Sequence, residues 1–282
     1  MSRPASTVRA LRRSLAALAL VAAPGGTVLA QADLASTELD CLIEPHTVVQ
    51  LGSAVTGVLD DVSVDRGDAV QAGQVVARLE SGVEEATVKL ARARSENDVP
   101  IQSRTARLEF QIGKEERTEK LFNKDVVSSE QMETAMTERR LAELDLREAE
   151  MEKRLAQLQL RQAIALLNQR TVISPIDGVV VERALSPGAY VNEQSHVVTV
   201  AEMGVLNVEV FVPIAFYDAV TLGMIGEVRP EEPVGGVYQA TVTIVDELFD
   251  PASGTFGVRL RLPNADHGLP AGLRCMVRFL AD

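Results

Sequence analysis

Two segments of this 282-residue chain repeat each other and are separated by a long stretch of different character. Segment 48–82 and segment 171–202 match at one offset of 121 positions, which pairs Gly57 with Gly178, Val58 with Val179, Gly67 with Gly188 and Val70 with Val191. Both segments alternate apolar and polar residues between glycines, a pattern typical of short strands joined by tight turns. One half has too few strands to bury a face, so we expect the two halves to close on each other.

The segment between the halves, residues 83–170, has the composition of helices. It contains one proline and one glycine and is rich in Glu, Arg, Ala, Leu and Gln, all good helix formers. The pattern breaks near 122–128, and Ser128 then has Gln131 three residues later, the spacing of a capping box that opens a helix. We predict an antiparallel helical hairpin with its turn at this break. A return helix of roughly 40 residues would reach ~60 Å away from the β unit.

The apolar residues of the hairpin predict a coiled-coil seam between its two arms. In the return arm, spacings of three and four connect Leu141, Leu144, Met151, Leu155, Leu158 and Ala165, with Glu148 and Gln162 as polar steps. A second, shorter stripe adjoins its end and consists of Leu160, Ile164 and Leu167. In the outgoing arm the candidate seam residues are Leu90, Ala93, Ile101 and Leu108.

The last segment, residues 203–282, is rich in strands. Apolar residues alternate with polar ones in four runs, and glycines and prolines mark the turns between them. Short strands at this spacing predict a small β-barrel or sandwich. Residues 31–47 form an N-terminal segment that leads into the β domains.

Residues 1–30 have the pattern of a secretory signal peptide. Four arginines precede the short apolar run of residues 15–23, and small residues at 28–32 offer cleavage sites. An uncleaved anchor is the alternative, although the apolar run is short for ~30 Å of hydrocarbon. We therefore expect an exported protein in an oxidising compartment.

Charge and composition exclude several classes of function. The net charge is −12, and the chain after residue 30 carries −16, which argues against a nucleic-acid partner. Three scattered histidines and two cysteines offer no metal-ligand spacing, and no hydrolase motif is present. The adjacent carboxylates Glu84 and Glu85 do not face each other on a helix, so we interpret them as solvated. We predict neither an enzyme nor a cofactor-binding protein.

The order of these segments resembles the periplasmic adaptor subunits, or HlyD-like membrane fusion proteins, of tripartite efflux pumps. The runs that carry the resemblance are GVLDDVSVDRGDAV at 57–70, GQVVARLE at 73–80, SPIDGVV at 174–180, PGAYV at 187–191, DPASGTFGVR at 250–259 and LPAGL at 269–273. The resemblance covers about residues 40–282. It implies an α+β multidomain fold: a lipoyl-like β-sandwich interrupted by a long antiparallel α-helical coiled-coil hairpin and followed by a small β-barrel.

At the hairpin turn, Arg117, Leu121 and Ser128 resemble the Arg-Leu-Ser motif by which such adaptors meet a TolC-like outer-membrane channel. Arg117 and Leu121 are four residues apart and share one helix face. The guanidinium of an arginine donates two parallel hydrogen bonds to carbonyls or a carboxylate of a partner, and the leucine adds an apolar contact. The alternative is a solvated arginine, a seam leucine and a serine that only caps a helix.

The resemblance implies partners at both membranes of a Gram-negative bacterium. We expect a periplasmic ring, a hexamer or a trimer of dimers, that is held at the inner membrane by its transporter. A resistance-nodulation-division (RND) transporter is preferred, with an ABC exporter or type I secretion system second. Many relatives have a membrane-proximal domain beyond the barrel, and we expect none here. Connectivity places hinges near residues 81–82, residue 171 and residues 201–204.

Two further expectations stay open at this point. Lipoyl-like halves also occur in biotin or lipoate carriers, but Lys89 lies in a helical setting without a carrier motif, which disfavours that class. Cys41 and Cys275 are either two buried thiols or a disulfide. The disulfide is favoured slightly because the compartment is oxidising.

Overall fold

The structure is a computed structural model that describes residues 34–280, so the predicted signal peptide of residues 1–30 lies outside the described residues. Three α-helices lie in this range: α1 (Gly82–Ser95), α2 (Val99–Phe122) and α3 (Ser129–Asn168), and two short 3-10 helices cover Leu34–Ser36 and Ile214–Ala219. The strands in the same range are β1 (Leu39–Pro45), β2 (Val48–Gly52), β3 (Gly57–Val62), β4 (Ala69–Val70), β5 (Val75–Leu79), β6 (Thr171–Ile173), β7 (Gly178–Arg183), β8 (Tyr190–Val191), β9 (His196–Ala201), β10 (Val205–Pro213), β11 (Ile225–Pro230), β12 (Tyr238–Asp250), β13 (Thr255–Pro263) and β14 (Leu273–Phe279).

The two repeat halves build one sandwich and exchange strands. One sheet has the order β2-β9-β7-β4 and the other β6-β5-β3-β8, so each sheet contains strands from both halves. The matched residues pair reciprocally, since Gly57 lies opposite Val191 and Gly178 lies opposite Val70. This arrangement is the closure of two related halves that the repeat predicts. A valine- and leucine-rich core, mostly below 6% exposed, fills the space between the sheets.

The helices form two antiparallel arms, with α1 and α2 in one arm and α3 in the other. Three ion pairs fix their relative height, because Arg107 contacts Asp145, Lys114 contacts Glu138 and Lys153 contacts Asp98. Along the first arm the paired residue numbers rise from 98 through 107 to 114, whereas their partners in α3 fall from 153 through 145 to 138. The two arms therefore run in opposite directions. The 40 residues of α3 correspond to ~60 Å at 1.5 Å per residue.

The sequence pattern predicts the wrong face of α3 for the contact with the other arm. Of the residues proposed for it, Leu141, Leu144, Met151, Leu155 and Leu158 are 46–56% exposed. The buried residues of α3 are instead alanines on a seven-residue repeat, Ala135, Ala142, Ala149 and Ala163. In the outgoing arm, Leu90 and Ala93 are exposed, whereas Val88, Ala91 and Ser95 are buried and Ile101 and Leu108 are half-buried.

A small side chain explains why the alanine face lies inside. Alanine has no atoms beyond Cβ, so two helices approach closely wherever alanines recur every two turns. The neighbouring positions between them then hold longer side chains that reach across, such as Arg139, which bonds to Glu115. The shorter stripe of Leu160, Ile164 and Leu167 packs inward against Val88, Ala91 and Ala163.

Six strands close the barrel in the order β1-β10-β13-β12-β11-β14. Five of them come from the predicted strand-rich C-terminal segment. The sixth, β1, comes from the N-terminal segment and lies between β10 and β14. The barrel core includes Ile43 of β1 together with Phe256 and Phe279, each at most 1% exposed. None of the helices within residues 34–280 combines the length and apolar character needed to cross a membrane.

Candidate functional site at the hairpin tip

The end of α2 is closed by backbone hydrogen bonds in the pattern of a Schellman motif. Asp125 N–H donates to Phe122 O at 2.9 Å, and Val126 N–H donates to Leu121 O at 3.0 Å. Asp125 is in the left-handed region with φ 55°, the conformation such a motif requires at this position. The motif leaves the side chains of Leu121 and Val126 exposed by 42% and 65%. The tip therefore presents apolar side chains on a fixed backbone turn.

Ser128 begins α3 through a reciprocal capping box. Its hydroxyl accepts a hydrogen bond from Gln131 N–H at 3.3 Å, and its own N–H donates to Gln131 Oε1 at 3.1 Å. The predicted N-cap and its partner are thereby confirmed. Ser128 also lines a groove between the two arms with Lys114, Thr118 and Thr134. Its hydroxyl keeps acceptor capacity beyond the cap.

Arg117 differs from two cations of α2 that face the return arm. Arg107 and Lys114 are paired with carboxylates of α3. Arg117 is exposed and has no ion pair within residues 34–280, and its guanidinium lies over Gly113 one turn earlier. An uncommitted guanidinium keeps its five N–H donors for another molecule.

The three residues of the predicted tip motif share one end of the hairpin, although no hydrogen bond between their side chains lies within residues 34–280. Arg117 and Leu121 lie one helical turn apart on α2, while Ser128 lies beyond the turn at the start of α3. The arrangement offers a charged donor, an apolar side chain and a hydroxyl. Such a set is chemically suited to contact a polypeptide surface. No cluster of three or more metal-binding side chains occurs within residues 34–280.

The two cysteines lie on neighbouring barrel strands. Cys41 of β1 is directly opposite Cys275 of β14, with their Cα atoms 4.8 Å apart, and a disulfide joins them in the structure. The placement depends on β1 running along the barrel, which brings together residues 234 positions apart. The oxidised pair in the exported protein remains a prediction.

A charged contact joins two residues at the base of the hairpin that are far apart in the sequence. Arg170 follows the end of α3, and its Nη2 bonds to Glu84 Oε1 at 2.6 Å. The interpretation of Glu84 as a solvated carboxylate is therefore wrong, since its side chain is only 20% exposed. Its own backbone N–H, followed by the bonds from Arg170, lowers the pKa of Glu84 against the opposing effect of desolvation. No local motif signals a pair 86 residues apart.

The sandwich identifies the family. Residues 47–202, more than half of the chain, match the family described as CzcB-like, barrel-sandwich hybrid domain. The chain belongs to this family. Members of the membrane fusion protein family are adaptors rather than enzymes.

Comparisons over longer ranges agree with this assignment. The CzcB-like chain is 27% identical to the nickel-cobalt-cadmium resistance protein NccB of Alcaligenes xylosoxydans, covering 84% of this chain and 58% of NccB. It is 23% identical to an uncharacterised protein of Haemophilus influenzae, covering 84% of this chain and 56% of that protein. The chain thus spans less than two thirds of either relative. The crystal structure of MacA from Actinobacillus actinomycetemcomitans superposes with a TM-score of 0.73 at 19% identity, covering 86% and 78% of the two chains, which shows a shared membrane fusion protein fold.

Proposed function

We propose that this chain is a periplasmic adaptor, without enzymatic activity, that joins an inner-membrane efflux transporter to a TolC-like outer-membrane channel. The observation that carries the proposal is the hairpin tip. An arm of ~60 Å ends in an exposed Leu121 and an Arg117 that has no ion pair within residues 34–280. A chain that only needed a stable core would have no use for so long an arm.

The relatives favour export of small solutes. NccB is a resistance protein for nickel, cobalt and cadmium by its name. By analogy, this adaptor serves efflux of small ions or molecules, with an RND transporter as the preferred inner-membrane partner and an ABC exporter second. The alternative is an adaptor of a type I protein secretion system. Small-solute efflux is favoured because of the NccB relative.

Docking to the channel uses Arg117, Leu121 and Ser128. The guanidinium of Arg117 forks onto backbone carbonyls or a carboxylate at the periplasmic mouth of the channel. Leu121 adds apolar contact beside it, with Val126 as its neighbour in the turn. Ser128 holds the start of α3 next to this contact. Because the cap and the turn are already ordered, binding costs little conformational entropy of the side chains and backbone.

Two apolar stripes support self-association into a ring. The outer face of α3 carries the exposed residues Leu141, Leu144, Met151, Leu155 and Leu158, and the outer face of α2 carries Val99, Ala106 and Phe110. The ion pairs between the arms place the two stripes at the same height on opposite edges of the hairpin. Copies standing side by side would bury α3 of one against α2 of the next. A contact between unlike faces forms a ring when its rotation closes, and we propose a closed ring, a hexamer or a trimer of dimers.

A charge reversal at the tip tests the docking role. Arg117→Asp removes the donor fork and places a carboxylate where we propose that acceptors of the channel lie, so repulsion replaces attraction. We expect loss of tolerance to nickel, cobalt, cadmium or antimicrobial compounds in a host whose tolerance depends on this chain. Loss of cross-linking from the tip to the TolC-like channel of that host should accompany it.

Lys120→Asp is the matched control for this variant. Lys120 is also exposed on the last turns of α2 and has no ion pair within the described range 34–280, so the variant makes the same charge change three residues away. We expect it to keep most of the tolerance. Equal effects of the two variants, or full tolerance with Arg117→Asp at normal protein abundance, would remove the docking role from Arg117.

A further inference from the structure

The hairpin and the sandwich are joined by two chain crossings that lie side by side. The chain leaves the sandwich after β5 and enters α1 at Gly82, and it returns from α3 through Arg170 into β6. Backbone hydrogen bonds hold the crossings near each other, since Leu79 N–H donates to Arg170 O at 2.8 Å. Connectivity alone made these crossings candidate hinges. The side chain of Arg170 adds hydrogen bonds that hold the two crossings in place.

The guanidinium of Arg170 bonds to both bodies at once. Its Nε and Nη2 donate to Glu84 Oε1 of α1 at 3.1 and 2.6 Å. Its Nη1 donates to the carbonyl of Thr56, just before β3, at 3.0 Å. Apart from the local bond from Ser81 Oγ to Glu85 Oε1, the side-chain hydrogen bonds across this joint within residues 34–280 all come from Arg170. Because a guanidinium is planar, three bonds from its three nitrogens fix its orientation as well as its position.

The neighbouring residues leave room for this guanidinium. A Cβ atom at Gly57 would lie 2.7 Å from Arg170 Nη1, which would have to move, and 3.1 Å from Leu79 Cδ2, a tight contact that needs a shift of a few tenths of an ångström. Gly57 does not have a positive φ, so space rather than backbone conformation requires glycine here. Arg170 and Glu84 are 24% and 20% exposed in their side chains, which limits competition from water.

Among the described residues 34–280, no comparable charged contact spans the joint between sandwich and barrel. There, His46 N–H donates to Glu202 O at 3.3 Å and Glu202 N–H donates to Thr47 O at 2.9 Å. The side-chain bonds at this crossing come from uncharged amides, because Asn207 bonds to His46 and Asn264 Nδ2 donates to Met203 O at 2.9 Å. Two antiparallel segments joined mainly by backbone bonds form a ribbon, which bends more easily than a joint held by a forked ion pair.

We propose that Arg170, Glu84 and the Thr56 carbonyl form a latch that fixes the direction in which the hairpin leaves the sandwich. Arg170 is a positioning residue for the hairpin tip, some 60 Å away by the length of α3. Motion of the molecule then concentrates at the ribbon near residues 201–204 and not at the base of the hairpin. The use of a fixed arm direction rests on the proposed adaptor function, but the latch itself is a property of the isolated chain.

Distances between spin labels on the hairpin and the sandwich test the latch. The labels are attached through p-acetylphenylalanine at Arg140 and Glu193, both exposed, so that the native cysteines stay untouched. Arg140 is ~42 Å along α3 from the base, within reach of pulsed dipolar spectroscopy. We expect a narrow distance distribution in the parent protein. Arg170→Gln should broaden it, and Arg170→Lys should broaden it less because one ammonium replaces the fork.

Two further variants break the latch by independent routes. Glu84→Gln removes the charge from the acceptor, and Gly57→Ala displaces the guanidinium while leaving both charged residues in place. Both should broaden the distribution. Arg161→Gln is the matched control, because Arg161 is exposed on α3 and has no ion pair within residues 34–280. It should leave the width unchanged.

The width of the distribution separates a latch from a merely stabilising pair. A general loss of stability would lower the unfolding temperature without broadening the distances well below that temperature. Distributions for Arg170→Gln and Glu84→Gln as narrow as that of Arg161→Gln would overturn the proposal. If circular dichroism shows that Arg170→Gln does not fold, Glu84→Gln and Gly57→Ala decide the question. No channel or transporter is present, so failure of the adaptor proposal would leave this result unaffected.

Discussion

Ser128 begins α3 through contacts that reach only three residues along the chain, and its role was predictable from the sequence for that reason. A capping box needs a serine, a glutamine and their spacing. The left-handed Asp125 was not predictable in the same way, because the Schellman closure usually takes glycine and none is present at this turn. Arg170 was missed because its two partners lie 86 and 114 positions away.

The cap gives a prediction at the scale of one residue. Ser128→Ala removes the acceptor for Gln131 N–H and should lower the free energy of unfolding by about 1 kcal/mol. Ser129→Ala is the control, since Ser129 is the first helical residue and has no capping bond. Ser128→Asp should restore the stability because aspartate caps equally well. Chemical denaturation of the four proteins checks the order, and equal loss in both alanine variants would contradict it.

Within the elements, the sequence indicated which residues are apolar but not which face the partner arm takes. The leucine stripe of α3 has the spacing of a seam, and larger apolar residues normally bury more area. The alanine repeat has the same period on the opposite side of the helix. Both faces of α3 are thus compatible with a helical partner. The choice depends on the close approach of α1 and α2, which periodicity alone does not reveal.

The two faces of α3 predict opposite responses to substitution. Ala142 is 1% exposed, so Ala142→Leu overpacks the inner face and should destabilise the hairpin by about 1–3 kcal/mol. Leu144→Ala on the outer face leaves no internal cavity and should change stability by less than about 0.5 kcal/mol. Under the ring proposal, Leu144→Ala combined with Leu155→Ala should weaken self-association.

Thermal unfolding and analytical ultracentrifugation check these two responses separately. Helix propensity cannot explain a loss of stability in the outer-face variants, because alanine is a better helix former than leucine and would by itself stabilise them slightly. Greater destabilisation by Leu144→Ala than by Ala142→Leu would mean that the inner face is misassigned. Undiminished self-association of the double variant would remove the α3 stripe from the ring contact.

At the scale of the whole molecule, the closed sandwich followed from the repeat, whereas the closed barrel did not follow from the C-terminal segment alone. Gly57 and Gly178 mark equivalent positions, and their reciprocal pairing is what a duplicated half predicts. The barrel needs β1, which precedes the sandwich and the hairpin in the chain. Because β1 is far from its partner strands in the sequence, no local pattern identifies them. The two cysteines, Cys41 and Cys275, are the one indication of the pairing.

The predicted disulfide would tie the first barrel strand to the last. Because Cys41 and Cys275 are 234 positions apart, a bond between them closes a very long loop in the unfolded chain, and the chain-entropy model assigns it about 5 kcal/mol. We expect reductant, or the double variant Cys41→Ala with Cys275→Ala, to lower the unfolding temperature of the barrel markedly. Intact mass after alkylation checks the bond itself: protein purified from the periplasm should take up label only after reduction. Two alkylated thiols before reduction would show that the bond is absent, and β1 would then be held by its pairing with β10 and β14 and by the packing of Leu39, Cys41 and Ile43.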